Sequence, residues 1–312
     1  MTYYKKLNNE IQCLLCPNYC ILQNNEIGLC NVNKNENQEL VNLVYNKPAT
    51  LNISPIEKHN LYHFFPESEV LSIETQGDNL KTETSKIQKI DSEIGELTPY
   101  DMMNIVAKYR CNGVVYTQEP AVFYPYAKDI GELVSLKGAK NIFVTNGYLS
   151  HELLEDMEWI DAMSIELKTF SSEFYNKIGG NLDNVLDIIK LSYQKGIWIE
   201  IKTSIINFDE NDIFKIAKFI SSISVNIPWH INITQSFTLQ KIYNIAKSCG
   251  LRYVYFSGLN VANITKCPEC GESLVIRHND KIQTNNLTKD GLCPKCNTQI
   301  SGVWAKKNKN LL

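Results

Sequence analysis

The sequence predicts an α/β protein whose central part is an open or partial barrel of six strand–helix units, with a small cysteine-rich metal-binding module at each end. Three observations lead to this prediction. Short apolar runs alternate with amphipathic helical patterns from residue 70 onward. Six such units are too few to close an eight-stranded barrel. Eight of the ten cysteines fall into two groups near the chain ends, and 44% hydrophobic residues in a chain of 312 suffice for one large core with satellites.

The predicted elements alternate along the central region. The expected strands are VLSIET (70–75), GVVYT (113–117), NIFVTN (141–146), AMSIEL (162–167), IWIEIKTSI (197–205) and PWHINIT (228–234), with RYVYFS (252–257) as a seventh candidate. The helical patterns lie at 101–110, 119–136, 184–196 and 209–223. Apolar strands separated by helices are typical of a parallel sheet covered by helices. Ligands of such sheets bind at the carboxyl ends of the strands.

These patterns divide the chain into three predicted regions: 1–66 with four cysteines, 67–261 with the partial barrel, and 262–312 as a zinc-ribbon-like module. The net charge of −3 and the pI near 6.0 argue against nucleic-acid or membrane-surface binding driven by charge. No run approaches the roughly 18 apolar residues of a membrane span, and a cysteine pair precedes any signal-like apolar segment. We therefore expect a cytoplasmic protein.

The C-terminal cysteines form two CPxC pairs separated by 22 residues, and they are Cys267, Cys270, Cys293 and Cys296. Two such knuckles bring four thiolates together, and four thiolates suit tetrahedral zinc. A β-hairpin through SLVIRH accounts for a spacing slightly longer than usual. Because the protein would supply all four ligands, we expect a structural zinc site.

The N-terminal cysteines have the uneven pattern CLLCPNYC…GLC, with gaps of two, three and nine residues, and they are Cys13, Cys16, Cys20 and Cys30. This spacing fits zinc, the first alternative, or an iron–sulfur cluster, the second. A region so small and so rich in cysteine buries little apolar area by itself. We therefore expect bound metal to supply much of its folding free energy.

Segments across nearly the whole chain match the pattern of one family. They are CLLCPNYCIL…IGLCNV (13–32), SPIEKHNLYHFFP (54–66), GDNL (77–80), EPAVFYPYA (119–127), VTNGY (144–148), SIELKTFSSEFYNKIGG (164–180), PWHIN (228–232) and the CPxC pairs with GVW (302–304). Together they resemble the radical SAM proteins of the AmmeMemoRadiSam type, relatives of the pyruvate formate-lyase activating enzymes. The resemblance implies a partial (β/α)₆ barrel, SAM, and a [4Fe–4S] cluster held by CxxxCxxC after the first barrel strand.

The loop that would hold this cluster departs from the family. The family reads roughly GCNLxCxxCQN, whereas this chain reads GDNLKTETSKI, with Asp78, Thr82 and Ser85 at the three cysteine positions and Gly77 and Asn79 beside the first. Three thiolates hold the family cluster and leave one iron open for SAM, as the resemblance implies. A carboxylate and two hydroxyls are hard oxygen ligands suited to other metals. We therefore expect these to be vestigial cluster positions.

Three other side chains have two interpretations each. Glu119 stands where the family's acceptor for the SAM amino group lies, but it also fits a solvated carboxylate at a helix N-terminus. His230, on an expected strand, and His63, between aromatic residues, are either ligands or hydrogen-bonded core residues.

The sequence favours a degenerate radical SAM-family protein that acts as a metal-binding scaffold or partner protein, because the structural cysteines are kept while the catalytic ones are replaced. One alternative is a non-radical enzyme that reuses the barrel mouth with Glu119, Asp78, His230 or Lys168. The other is an active radical SAM enzyme of the activating type with unexpected cluster ligands, such as the N-terminal cysteines. The candidate partners are a protein and a small molecule at the barrel mouth, and no nucleic-acid or membrane partner is expected.

Overall fold

The chain folds into two compact units, and the computed structural model describes residues 3–82, 94–233 and 238–304. The first unit comprises Met1–Ser54, Glu69–Met163 and Ser171–Ile197, and the second comprises Pro55–Ser68, Ser164–Phe170 and Trp198–Leu312. None of the helices in the described ranges combines the length and the apolar character that a membrane crossing needs. The three regions predicted from the sequence stay a prediction.

The elements follow one another in the alternating order that the sequence predicts. The strands are β1 (Tyr4–Leu7), β2 (Glu10–Cys13), β3 (Ile21–Leu22), β4 (Asn33–Glu36), β5 (Glu39–Asn42), β6 (Thr50–Pro55), β7 (Glu69–Glu74), β8 (Gly113–Thr117), β9 (Lys140–Thr145), β10 (Ala162–Glu166), β11 (Trp198–Ile205), β12 (Trp229–Ile233), β13 (Val254–Ser257), β14 (Ala262–Lys266), β15 (Ser273–His278) and β16 (Lys281–Asn285). The helices are α1 (Pro99–Tyr109), α2 (Tyr124–Ser135), α3 (His151–Glu155), α4 (Ser172–Lys177), α5 (Leu182–Gln194), α6 (Glu210–Ile223) and α7 (Leu239–Ser248).

Within the described residues, the main sheet has eight strands. In the first unit their order is β6-β7-β8-β9-β10, and in the second it is β10-β11-β12-β13. Strand β10 belongs to both, because Ala162 and Met163 lie in the first unit and Ser164–Glu166 in the second. The prediction of a mixed α/β protein is confirmed, and the sheet also includes β6, which the sequence patterns did not indicate.

The first unit contains parallel strands that are buried along most of their length. Strands β7 and β8 pair in parallel with Val70 opposite Gly113, and β8 and β9 pair in parallel with Gly113 opposite Lys140. The central residues of β7 and β8 are buried. Their continuous apolar character follows from this, since a parallel strand covered on both faces has no solvent-facing side. Two small antiparallel sheets, β1-β2-β3 and β4-β5, carry the N-terminal cysteines and also belong to this unit.

The second unit combines parallel strands with the C-terminal antiparallel sheet. Strands β11, β12 and β13 pair in parallel, with Ile201 opposite Trp229 and Trp229 opposite Val254. Strands β14, β15 and β16 form an antiparallel sheet. The hairpin predicted through SLVIRH is present, and its turn residues Asn279 and Asp280 have φ values of 49° and 57°. Asparagine and aspartate tolerate this left-handed conformation better than most residues, which explains the turn.

A fully buried carboxylate joins the strands of the second unit to the segment that precedes β7. Glu200 on β11 accepts hydrogen bonds from the backbone N–H of Tyr62 (3.0 Å) and His63 (2.8 Å) and from the indole of Trp198 (3.1 Å). Its other contact is His230 Nε2 on β12, at 2.7 Å. Burial alone would raise the pKa of Glu200. The hydrogen bond to His230, the charges of both histidines and the His63 N–H together lower the pKa of this carboxyl below its usual value.

The substitution Glu200→Ala should lower the free energy of unfolding of the protein by about 3–5 kcal/mol, because it leaves several buried donors without an acceptor. Denaturant unfolding monitored by tryptophan fluorescence measures this loss. The matched control is Glu210→Ala at the exposed start of α6, which removes a carboxylate without burying an unpaired group. Equal effects of the two substitutions would contradict the central role of Glu200.

Candidate metal centres and strand-end site

The four C-terminal cysteines lie close together in the second unit. The Sγ atoms of Cys267 and Cys296 are 3.5 Å apart, and those of Cys270 and Cys293 are 3.7 Å apart. All four ligand atoms lie within 4.8 Å of one another. Four cysteines at these distances could hold a metal ion.

Both C-terminal knuckles have the same local geometry. In the first, the Gly271 N–H donates to the Cys267 carbonyl (3.0 Å), and in the second the Asn297 N–H donates to the Cys293 carbonyl (2.9 Å). Gly271 and Asn297 have φ values of 74° and 61°. Two residue types that tolerate positive φ thus end the two turns, and these turns present the cysteine sulfurs to one point.

The C-terminal cysteines share a hydrophobic core with the rest of the second unit. Cys267 and Cys293 pack in a cluster whose other buried members are Tyr62, Tyr253, Tyr255, Leu274, Val275 and Ile300. Tyr253 precedes β13 and Tyr255 lies on it. These two cysteines are therefore packed into the hydrophobic core of the second unit.

The four N-terminal cysteines surround a cavity in the first unit. Its other lining residues are Leu15, Asn18, Leu22, Gly28, Asn33 and Val122. Cys13 ends β2, and the other three lie in the turns that connect β2, β3 and β4. Burial and the charges of neighbouring cysteines raise the pKa of Cys13 to about 12, and burial raises the pKa of Cys16 and Cys20 as well. Without a cation these thiols keep their protons, and a bound metal reverses this preference.

The loop after β7 carries Asp78 and Thr82, two of the three positions that the sequence resemblance assigns to cluster cysteines. Asp78 Oδ1 accepts a hydrogen bond from the Leu80 N–H (2.9 Å), and Asp78 Oδ2 accepts one from the Thr82 hydroxyl (3.0 Å). Gly77 has a φ of 110°, and a Cβ there would lie 2.7 Å from a Val32 methyl, so glycine is required. Ser85, the third position, lies outside the described residues.

Glu119 follows β8 and is buried, with only 5% of its surface exposed. Its carboxylate accepts hydrogen bonds from the Asn146 N–H (3.0 Å) and the Thr145 hydroxyl (3.1 and 3.2 Å), and it caps a short 3₁₀ helix through Ala121 N (3.4 Å). Burial raises the pKa of Glu119 to about 7, and the charge of Asp78 adds to the effect. The carboxylate therefore caps a helix, as one interpretation expects, but it is buried rather than solvated.

A chain of hydrogen bonds links the ends of three successive strands in the first unit. Asn79, after β7, accepts from the Asn146 side chain (2.8 Å) and donates to the Tyr148 carbonyl (2.7 Å). The backbone N–H of Asn146, after β9, donates to Glu119, after β8. The site therefore includes Thr145, Asn146 and Tyr148, to which the sequence patterns gave no role. The sequence signal that could have identified these residues was their position in VTNGY, at the end of a buried strand.

The other candidate residues that the sequence indicated, His230, His63 and Lys168, lie in the second unit and have partners. His230 is buried against Glu200, and His63 contacts the Ser301 carbonyl and the Tyr255 hydroxyl, both at 2.6 Å. Burial lowers the pKa of His63 to about 4. Lys168 forms an ion pair with Glu166 (2.5 Å). The two histidines thus have the environment of hydrogen-bonded core residues.

Comparison with known proteins gives one close relative and several distant structural likenesses. No family model matches the chain. The uncharacterized protein MJ0808 of Methanocaldococcus jannaschii is 31% identical over 329 aligned positions, which cover 96% of this chain and 98% of that protein.

Among solved structures, Streptococcus suis SuiB bound to the precursor peptide SuiA has a TM-score of 0.47, and SuiB bound to S-adenosylmethionine has one of 0.44, each at 15% identity. The match covers 65% of this chain, and the chain spans about half the length of SuiB (51% and 52%).

The pH dependence of stability should reveal the buried carboxyl of Glu119. Its folded-state pKa of about 7 lies above the usual 4.5, so the stability linked to its proton is fully present below pH 4.5 and is lost as the pH rises through 7. The substitution Glu119→Gln removes this titration. The unfolding free energy of the wild type, relative to the variant, should therefore fall by about 3 kcal/mol across this range. Parallel pH profiles of the two proteins in denaturant unfolding would contradict the assignment.

Proposed function

This chain belongs to the same family as the uncharacterized protein MJ0808 of Methanocaldococcus jannaschii, and we propose that it is a metal-binding protein on a radical SAM-type partial (β/α)₆ barrel that no longer assembles the catalytic cluster. In this proposal it acts as a scaffold or partner of another protein. The observation that carries the proposal is the loop after β7, where Asp78 and Thr82 are hydrogen-bonded to each other.

The residues of this loop do not fit a [4Fe–4S] cluster. A carboxylate and a hydroxyl offer hard oxygen donors, and iron–sulfur clusters are held by cysteine thiolates. Both oxygens of Asp78 already accept hydrogen bonds from the loop itself, through Leu80 N and the Thr82 hydroxyl. The loop is therefore closed by its own polar groups, which supports a structural rather than a cluster-binding role.

We assign zinc to the C-terminal cysteines. Tetrahedral zinc with Zn–S bonds of about 2.3 Å requires sulfur atoms about 3.8 Å apart. The recorded distances of 3.5 and 3.7 Å between paired sulfurs support one small ion at this position. All ten cysteines are free, which agrees with the reducing cytoplasm that the proposal assumes.

A second candidate function is acid–base catalysis by a non-radical enzyme at the strand ends of the first unit. It is favoured by Glu119, a buried carboxyl whose pKa of about 7 allows it to gain or lose a proton near neutral pH. The hydrogen bonds from Thr145 and Asn146 hold this carboxylate in place. The same contacts also serve a purely structural cap, so the scaffold role is preferred.

The substitution Cys293→Ser should release about one zinc ion per chain, since it removes one of four ligands. It should also lower the stability of the second unit, because Cys293 packs in the same cluster as Tyr255. Metal analysis and thermal unfolding measure both effects. The matched control is Cys249→Ser at the end of α7, which removes a thiol away from the knuckles and should keep the zinc. Full zinc content in both variants would remove the assignment.

The wild-type chain should form no 5′-deoxyadenosine from SAM above background after anaerobic reconstitution and dithionite reduction. The triple variant Asp78→Cys, Thr82→Cys and Ser85→Cys restores the family spacing, and we expect it to take up about four more irons than the wild type. Liquid chromatography of the products and iron analysis provide the readouts. Turnover by the unaltered chain would refute the proposed loss of radical chemistry.

A further inference from the structure

The two groups of four cysteines enclose different spaces. In the C-terminal group, paired sulfur atoms are 3.5 and 3.7 Å apart, which is the spacing around a single ion. The N-terminal sulfurs instead surround a cavity together with side chains from β3, β4 and the turn before α2. Among the described residues, the groups of three or more ligand atoms within 4.8 Å of one another include the C-terminal sulfurs and not the N-terminal ones. This wider spacing favours a cofactor larger than one ion. An iron–sulfur cluster with four cysteine ligands is such a cofactor.

The wall of the N-terminal cavity is apolar apart from the sulfurs and two asparagines. Leu15, Leu22 and Val122 line it, and Leu15 and Leu22 are each 2% exposed. Cys13, Cys16 and Cys30 are buried and Cys20 is half-buried. A site of this kind keeps water away from a bound group, and burial is one of the levers by which a protein sets the reduction potential of a cluster.

A hydrogen-bond donor points at one of the N-terminal sulfurs. The Asn33 side-chain amide donates to Cys30 Sγ (3.4 Å) and, with its other hydrogen, to the Val122 carbonyl (2.8 Å). At the other three sulfurs, the backbone groups of Leu15, Asn18 and Leu29 act against the burial that raises the pKa of Cys13, Cys16 and Cys20. Such N–H···S bonds stabilise the thiolate form and tune iron–sulfur clusters.

From this geometry we propose that Cys13, Cys16, Cys20 and Cys30 hold an iron–sulfur cluster, so that the chain carries a cluster in its first unit and a single zinc ion in its second. Both [2Fe–2S] and [4Fe–4S] clusters take four cysteine ligands, and the iron content distinguishes them. With all its ligand positions filled by cysteine, this cluster has no open iron for SAM. The proposal does not depend on the scaffold role and stands if that role fails.

The proposed cluster lies beside the loop that lost the family cysteines. The Asn18 side chain, from the cavity wall, donates to the Asn79 carbonyl (2.8 Å). Val32, which follows Cys30, packs against Gly77. Asn42 joins Asn33 in donating to the Val122 carbonyl (2.8 Å). Within the first unit, the cysteine turns and the Gly77–Thr82 loop thus fix each other's position.

The test is metal and sulfide analysis of the full chain, expressed with iron and purified without oxygen. We expect the wild type to contain iron and acid-labile sulfide in equal amounts, about one zinc ion, and the visible absorption of an iron–sulfur cluster. The substitutions Cys16→Ser and Cys30→Ser should abolish most of the iron, sulfide and visible absorption while the zinc content stays. The matched substitution Cys270→Ser in the C-terminal group should release the zinc and leave the iron, the sulfide and the visible absorption unchanged.

Two results would overturn the proposal. One is a wild-type chain that contains about two zinc ions and no labile sulfide even after anaerobic reconstitution with iron and sulfide. The other is an iron–sulfur absorption that survives in Cys16→Ser and disappears in Cys270→Ser. If the cysteine variants fail to fold, the content of iron, sulfide and zinc in the wild type alone decides between a cluster and a second zinc ion.

Discussion

Four thiolates gathered at one point repel one another unless a cation balances their charge, and we expect metal to meet this requirement in both cysteine groups of this chain. Burial and neighbouring cysteines push the pKa of Cys13 and Cys16 upward, so without metal the protonated thiols are favoured. We expect a cation to supply the compensating charge. The short strands β2, β3 and β4 are too small to be stable alone, and at the knuckles around Cys267 and Cys293 a shared metal ion would add to the packing that already holds them.

At the loop after β7, local hydrogen bonds between polar groups hold the turn. Asp78 accepts from Leu80 N and from Thr82, so a short polar turn keeps its shape without iron. Gly77 is still required, because Val32 lies against the position that a Cβ would occupy. The backbone geometry of this loop and its ligand chemistry are therefore separate properties. The tight turn at Gly77 serves packing inside the first unit. The side chains at the tip of the loop determine which cofactor it can hold.

Local patterns sufficed for the strands from β7 to β13 and for the C-terminal hairpin, but not for β6. The expected strand at 70–75 corresponds to Glu69–Glu74, and GVVYT matches Gly113–Thr117. Short helices such as α3 and α4 were missed, since five or six residues carry too little periodicity. The contacts of Glu200 could not be predicted from local patterns, because the backbone groups that donate to it lie 137 and 138 residues away in the sequence. The hydrogen bond between Thr145 and Glu119 was not predicted either, because it depends on the parallel register of the adjacent strands β8 and β9.

Buried charges connect the C-terminal antiparallel sheet with the parallel strands of the second unit. Arg277 on β15 is fully buried and donates to the Tyr62 carbonyl (2.6 Å), and its guanidinium lies 4.4 Å from the centre of the Tyr62 ring. The Tyr62 N–H donates to Glu200 on β11. Tyr62 therefore connects the buried guanidinium of Arg277 on the antiparallel sheet with the buried carboxylate of Glu200 on the parallel strands of the same unit. Buried charges tolerate little displacement. We therefore expect a disturbance at the cysteine knuckles to extend through β15 and Tyr62 to β11, which would couple metal binding at the knuckles to the packing of the second unit.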